Sequence, residues 1–145
     1  MRKNICRLIA LVIIIALVLS MSSFAAVNAS EYIAITSAWI TRDGDNVEVN
    51  FYIVGTNMMD KIGVKYIYLF EKNGNTWSRV ETFDYTDPSY ASTMMGSNTS
   101  AKSGYVTYSG YASKNYYAIC RFYAEKDGGS DTFQQYTPTS IGTSP

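Results

Sequence analysis

The chain has 145 residues, with 12 Lys or Arg, 12 Asp or Glu and no histidine, so its formal net charge is zero. Without histidine there is no Ser-His-Asp or Cys-His catalysis and no zinc site that needs an imidazole. The usual proton shuttle near neutral pH is missing as well.

Residues 1–29 read as a cleavable signal peptide. Met1-Arg2-Lys3-Asn4-Ile5-Cys6-Arg7 carries three positive charges, and Leu8 to Leu19 follows without any. That apolar run is shorter than the roughly 20 residues a spanning helix needs, and it matches a signal-peptide h-region. Small residues at Val27 and Ala29 place the cut between Ala29 and Ser30, with Ala26 as the alternative site and an uncleaved anchor as the alternative reading. Cys6 precedes the apolar run, so it is not the lipidated cysteine of a lipoprotein. Cleavage leaves 145 − 29 = 116 residues, enough for one domain with a two-layer core. It removes Arg2, Lys3 and Arg7, which gives a mature charge of 9 − 12 = −3. A mildly acidic domain has no electrostatic case for nucleic acid or, once the signal is gone, for membrane. Cys120 is then the one cysteine left, so the fold must rest on its hydrophobic core.

From Tyr32 onward the sequence shows short alternating runs broken by Gly, Asn and Asp, with no helical period. Tyr32 to Arg42 is the first run, and Asp43-Gly44-Asp45-Asn46 is a hairpin turn. In Val47 to Val54, residues Val47, Val49, Phe51 and Ile53 share one face. Pairing Arg42 with Val47 and Ile40 with Val49 buries Ala38 and Ile40 and turns Trp39 outward; a three-residue turn would bury Trp39 instead. Gly55 to Asp60 reads as a loop and Lys61 to Lys72 as the third run. Asn73-Gly74 signals a hairpin, with Trp77 to Phe83 returning. The expected register sets Ile67 opposite Val80 and Phe70 opposite Trp77. Tyr66, Tyr68 and Phe70 then share the face away from Leu69.

Asp84 to Asn98 reads as a long polar connection, and Ala101 to Tyr111 as a Tyr/Ser/Gly-rich strand region. In Asn115 to Glu125, the face Tyr116, Ala118, Cys120, Phe122, Ala124 is assigned inward and Tyr117, Ile119, Arg121, Tyr123, Glu125 outward. Asp127-Gly128-Gly129 turns the chain into Thr132 to Tyr136, and Pro138 ends that strand. Residues 139–145 are expected to form a disordered tail. The pattern predicts an all-β domain over residues 30–138, an antiparallel immunoglobulin- or fibronectin-III-like β-sandwich of about seven strands behind a signal-peptide helix. A small closed barrel is the alternative.

The paired runs around Asp43-Gly44-Asp45, the stretch from Leu69 to Trp77 and the strand led by Tyr116, together with the signal peptide, resemble a group of small secreted proteins of Gram-positive gut clostridia. That group is defined by a domain of unknown function. The resemblance implies fold and secretion, and it brings no activity, cofactor or site residues with it. The present chain departs from the group in its richness in tyrosine.

If the third, sixth and seventh runs share a sheet, Tyr66, Tyr68, Phe70, Tyr117 and Tyr123 project outward together, with Trp77 beside them. Such a row suits a pyranose face or a protein surface, because tyrosine has an apolar body and a polar tip. The bland alternative is that tyrosine is a good strand residue. The carboxylate pairs Asp84/Asp87 and Asp43/Asp45 could serve a glycosidase or calcium, but turn aspartates usually shape turns. Cys120 is expected to be a buried, unreactive thiol. Asn98-Thr99-Ser100 fits the glycosylation acceptor pattern, which matters only in a eukaryotic secretory route. The expectation is a secreted, extracellular, non-enzymatic binding module for a glycan, a cell-wall polymer or a protein, without metal or cofactor. A self-associating structural protein is the alternative, and a carboxylate-dependent hydrolase comes third.

Overall fold

Apolar and polar residues alternate along most of the chain, and the computed structural model, which describes residues 30–142, is correspondingly built of strands. The order is β1 (Ile33–Asp43), β2 (Asn46–Asn73), β3 (Thr76–Asp84), α1 (Pro88–Met94), β4 (Met95–Ser109), β5 (Tyr116–Lys126) and β6 (Gly129–Tyr136). The signal peptide, its helix and the Ala29 side of the cleavage site lie outside the described residues, as do residues 143–145. No helix among the described residues is long and apolar enough to cross a membrane.

All six strands belong to one antiparallel, hydrogen-bonded sheet that curls over its own core. Its axis is β2, 28 residues long. The first half of β2 pairs with β1 on one side and with β4 on the other. The second half pairs with β3 on one side and with β5 on the other, and β6 lies outside β5. The strands therefore run β1–β2–β4 in one half and β3–β2–β5–β6 in the other. The Met95–Thr99 end of β4 reaches across to Met59–Gly63 and joins the two halves.

This corrects the expected loop at Gly55 to Asp60, because the second and third runs are a single bent strand. Both flanks still pair there, with Thr56 N donating to Tyr32 O at 3.1 Å. The ladder to β4 slips between Val54 and Met59, which is where the strand bends. Glycine at position 55 permits the bend: a Cβ would lie 2.8 Å from Met59 Cγ.

The core forms between the halves. Val47, Val49, Phe51 and Ile53 face Ile67, Leu69, Ala118, Cys120, Phe122 and Ala124, and all are buried. Each large aliphatic or aromatic side chain there contributes roughly 1.5–3 kcal/mol of transfer free energy. The first hairpin has the expected register, Arg42↔Val47 and Ile40↔Val49, so Ala38 is buried and Trp39 stays 42 % exposed. The inward face assigned to β5 is buried throughout.

The β2–β3 register differs from the expected one. Asn73 pairs with Thr76 and Lys72 with Trp77, and the two-residue turn is Gly74-Asn75, with Gly74 at φ 60°. That turn sets Phe70 opposite Arg79, and a bulge between Leu69 and Phe70 then leaves Val80 unpaired, so that Ile67 meets Phe83. The bulge changes which face the rest of β3 presents, and Phe83 is thereby buried.

The polar connection also holds a helix that alternation could not signal. Asp87 caps α1, its Oδ1 accepting from Ser89 N at 2.8 Å, and Pro88 opens the first turn. The tail, expected to be disordered from residue 139, stays docked through Gly142. Ser140 exchanges backbone hydrogen bonds of 2.8 and 3.1 Å with Tyr116, and Gly142 N donates to Asn115 Oδ1 at 2.7 Å.

Candidate functional site

Alternation on β2, β3, β5 and β6 sends every second side chain to the outer face of the four-stranded half. The register sets the rows: Trp77 beside Lys72, then Arg79–Phe70–Tyr117, then Thr82–Tyr68–Ile119–Tyr136, then Asp84–Tyr66–Arg121–Gln134. Of the six aromatics expected together, five lie on this face, namely Tyr66, Tyr68, Phe70, Trp77 and Tyr117.

Their rings form two groups. Phe70 and Tyr117 stack at 4.8 Å between centroids with 1° between planes, and Trp77 meets Tyr117 edge-on at 4.7 Å. Tyr66 and Tyr68 lie parallel at 6.0 Å. The Arg79 guanidinium, on the residue paired with Phe70, lies 5.2 Å from the centroid of Tyr68. Because a parallel pair at 4.8 Å must be face to face, Phe70 and Tyr117 each spend a ring face on the other. What they offer outward is mainly ring edge and, for tyrosine, hydroxyl.

Tyr123 does not belong to this surface. It is 8 % exposed, with the Lys65 ammonium 3.6 Å from its ring centroid, and its hydroxyl donates to Glu125 Oε2. Burial, then the bond to Glu125, raises its pKa. The cause is a bulge in β2 at Lys65, between the Val64↔Phe122 and Tyr66↔Arg121 pairs, which swings the lysine over the ring.

Tyr136, opposite Ile119, joins the cluster instead. It lies 6.5 Å from Tyr117, with planes 26° apart, and is 59 % exposed against 36 % for Trp77. Sequence reasoning left it out, although the signal was present. The two-residue turn Asp127-Gly128, with φ of 51° and 81°, fixes Lys126↔Gly129 and hence Ile119↔Tyr136. The cations of this face were missed as well. Lys72 lies 6.0 Å from the Trp77 ring centroid, and Arg79 and Arg121 are exposed. Among the described residues the one ion pair is Lys114–Glu71 at 3.7 Å, so Lys65, Lys72, Arg79 and Arg121 have no carboxylate partner there.

The outer face of the other half is different. Trp39, Tyr52 and Tyr105 are exposed around Asn50, but the strand positions sharing that face carry Glu48 and no cation. A depression of about 210 Å³ between Tyr32, Met59 and Asp127 mixes Glu31 with Lys126 and gathers no aromatic cluster.

Three of the four paired carboxylates shape local structure. Asp84 Oδ1 accepts from Thr86 N and Oγ1, both at 2.8 Å, Asp87 caps α1, and Asp45 Oδ1 accepts from Ala112 N at 2.8 Å. Cys120 is fully buried, and that burial pushes its thiol up to about 12. No family model, curated protein or solved structure matches the chain.

Proposed function

We propose that the chain is an exported, non-catalytic binding module whose ligand seats on the outer face of the four-stranded half. Phe70, Trp77, Tyr117 and Tyr136 are its anchors. The observation that carries this reading is their mutual contact on a rigid sheet, with Lys72, Arg79 and Arg121 around them. Rings held by neighbours lose little conformational entropy on binding, and aromatic and arginine side chains dominate binding energy at such surfaces.

The proposal includes export by removal of residues 1–29, kinship with the small secreted clostridial proteins, and a fibronectin-III-like arrangement. That arrangement is supported by the three-stranded order β1–β2–β4 set against the four-stranded order β3–β2–β5–β6. Glycans, cell-wall polymers and proteins are the ligand classes; nucleic acid and membrane are not, given the mature charge of −3.

The test is binding of the purified protein to cell-wall fractions, soluble glycans and culture proteins, followed by the change in tryptophan fluorescence. Trp77→Ser with Tyr136→Ser should weaken capture by about tenfold or more and leave thermal unfolding nearly unchanged. Equal capture by this double variant would sink the reading. The exposed group Trp39, Tyr52 and Tyr105 on the opposite face favours a second reading, self-association. Sedimentation that depends on concentration and is abolished by Trp39→Ser would support it.

A further inference from the structure

We infer that the ligand of this face is an acidic polysaccharide whose sugars carry carboxylates, a conclusion that rests on the binding role proposed above. The argument is one of charge and ring orientation. Phe70 and Tyr117 spend faces on each other, and a face of Tyr68 is taken by the Arg79 guanidinium. What these three rings present outward is mainly edge, which carries the positive end of the aromatic quadrupole, and phenolic donors. Arg79, Arg121 and Lys72 add full positive charge with no carboxylate partner among the described residues. Asp84 shares the face beside Tyr66, its Oδ1 engaged by Thr86; with three cations against that one carboxylate the surface is rich in donors and positive potential on a domain that is negative as a whole, and its complement is an anion.

Spacing makes that anion a polymer. Arg79 pairs with Phe70 and Arg121 with Tyr66, two strands apart and four residues along. At about 4.8 Å per strand and 3.4 Å per residue, their Cα atoms lie roughly 17 Å from each other. The Arg79 guanidinium reaches over Tyr68 toward Arg121, whereas Lys72, turned to Trp77, stands six residues along β2 from the Tyr66–Arg121 row, roughly 20 Å, so a ligand that meets all three cations is an extended chain. A uronic-acid residue has a C–H face for Trp77 or Tyr136, the most exposed rings, and a planar carboxylate that matches the guanidinium fork. The opposite aromatic face, with Glu48 and no cation, offers no such match.

The test uses the purified protein. Its affinity is measured for polygalacturonate, for the same polymer methyl-esterified to neutrality, for polyphosphate and for polyglutamate. Expected is binding to polygalacturonate that weakens as salt rises, falls at least about tenfold on esterification, and falls about two- to fivefold with each of Arg79→Gln and Arg121→Gln. Equal binding of the esterified polymer, with Trp77→Ser still damaging, would overturn the acidic ligand and spare the aromatic site. Polygalacturonate binding indifferent to Trp77→Ser and Tyr136→Ser would overturn the site itself. Preference for polyphosphate or polyglutamate, or no binding to any of the four, overturns the inference.

Discussion

Tyr116 and Tyr117 are neighbours with opposite duties, and replacing the inner one tests how the platform is held. The Tyr116 hydroxyl donates to Glu71 Oε2 at 2.8 Å and accepts from Tyr111 N at 2.9 Å. Glu71 is 6 % exposed and lies 3.7 Å from the Lys114 ammonium. Arg42 covers the Tyr116 ring at 5.2 Å and ties down the 110–115 segment through Tyr111 O and Lys114 O. Tyr116→Phe removes a donor to a buried carboxylate and an acceptor for a backbone amide. A hydrogen bond to a charged group is worth about 1.5–3 kcal/mol and a neutral one about 1 kcal/mol. The amide belongs to an exposed residue and can turn to water, so the expected loss is about 2–3 kcal/mol. For a domain of this size that lowers Tm by roughly 8–12 °C.

Alkaline titration gives a second readout. Burial, opposed by the Tyr111 amide and reinforced by Glu71, pushes the Tyr116 hydroxyl up to about 12. An unfolded tyrosine titrates near 10, so the unfolded chain loses its proton first. The stabilising contribution is complete below about pH 10 and disappears as pH climbs to about 12. The Phe variant should therefore lose less stability over that interval than the parent. Calorimetry at neutral and alkaline pH measures both effects. A Tm drop under about 2 °C together with an unchanged alkaline slope would refute the network.

Other substitutions probe other parts of the fold. Cys120 should react with a thiol reagent only as fast as the protein unfolds, and rapid labelling of the native state would contradict its buried position. Asp131 is held below its ordinary carboxylate range by the Ser30 hydroxyl at 2.6 Å and the Tyr32 amide at 3.0 Å. Its contribution is present above the ordinary value and lost as pH falls through the lowered one. Asp131→Asn should cost about 1 kcal/mol near neutrality and flatten the acid limb of a denaturation series. Gly63→Ala would put a Cβ 2.0 Å from Met94 O, for a loss of about 3 kcal/mol. Gly44→Ala meets no atom and pays only for its φ of 59°, about 1 kcal/mol; equal losses in urea melts would contradict the contact. A double-mutant cycle with Phe70→Leu and Tyr117→Leu should return a coupling of about 0.5–1.5 kcal/mol, and zero coupling would mean that the rings do not stack.

The binding surface was partly legible in advance. Period-two patterning placed Tyr66, Tyr68, Phe70 and Tyr117 outward, because a strand's faces follow from its own alternation. Tyr123 obeyed the same count and was still covered, since the bulge at Lys65 brought in a side chain from the neighbouring strand. Tyr136 joined the cluster through the β5–β6 register, which the Asp127-Gly128 turn encodes but which matters only once β6 lies beside β5.

Local chemistry, then, decided what local chemistry controls. The alternation of Val47 to Ile53, the inward face of β5 and the register of the first hairpin follow from side-chain period and turn residues a few positions apart. Which strands flank β2, where it bends at Gly55 and where bulges at Lys65 and Val80 re-aim its neighbours came only from the folded chain. Those features depend on which distant strands pair around β2 over the shared core, and no single stretch of the sequence displays that pairing. The aromatic and cationic face is brought together by that pairing, from four strand segments that lie as much as 70 residues apart in sequence.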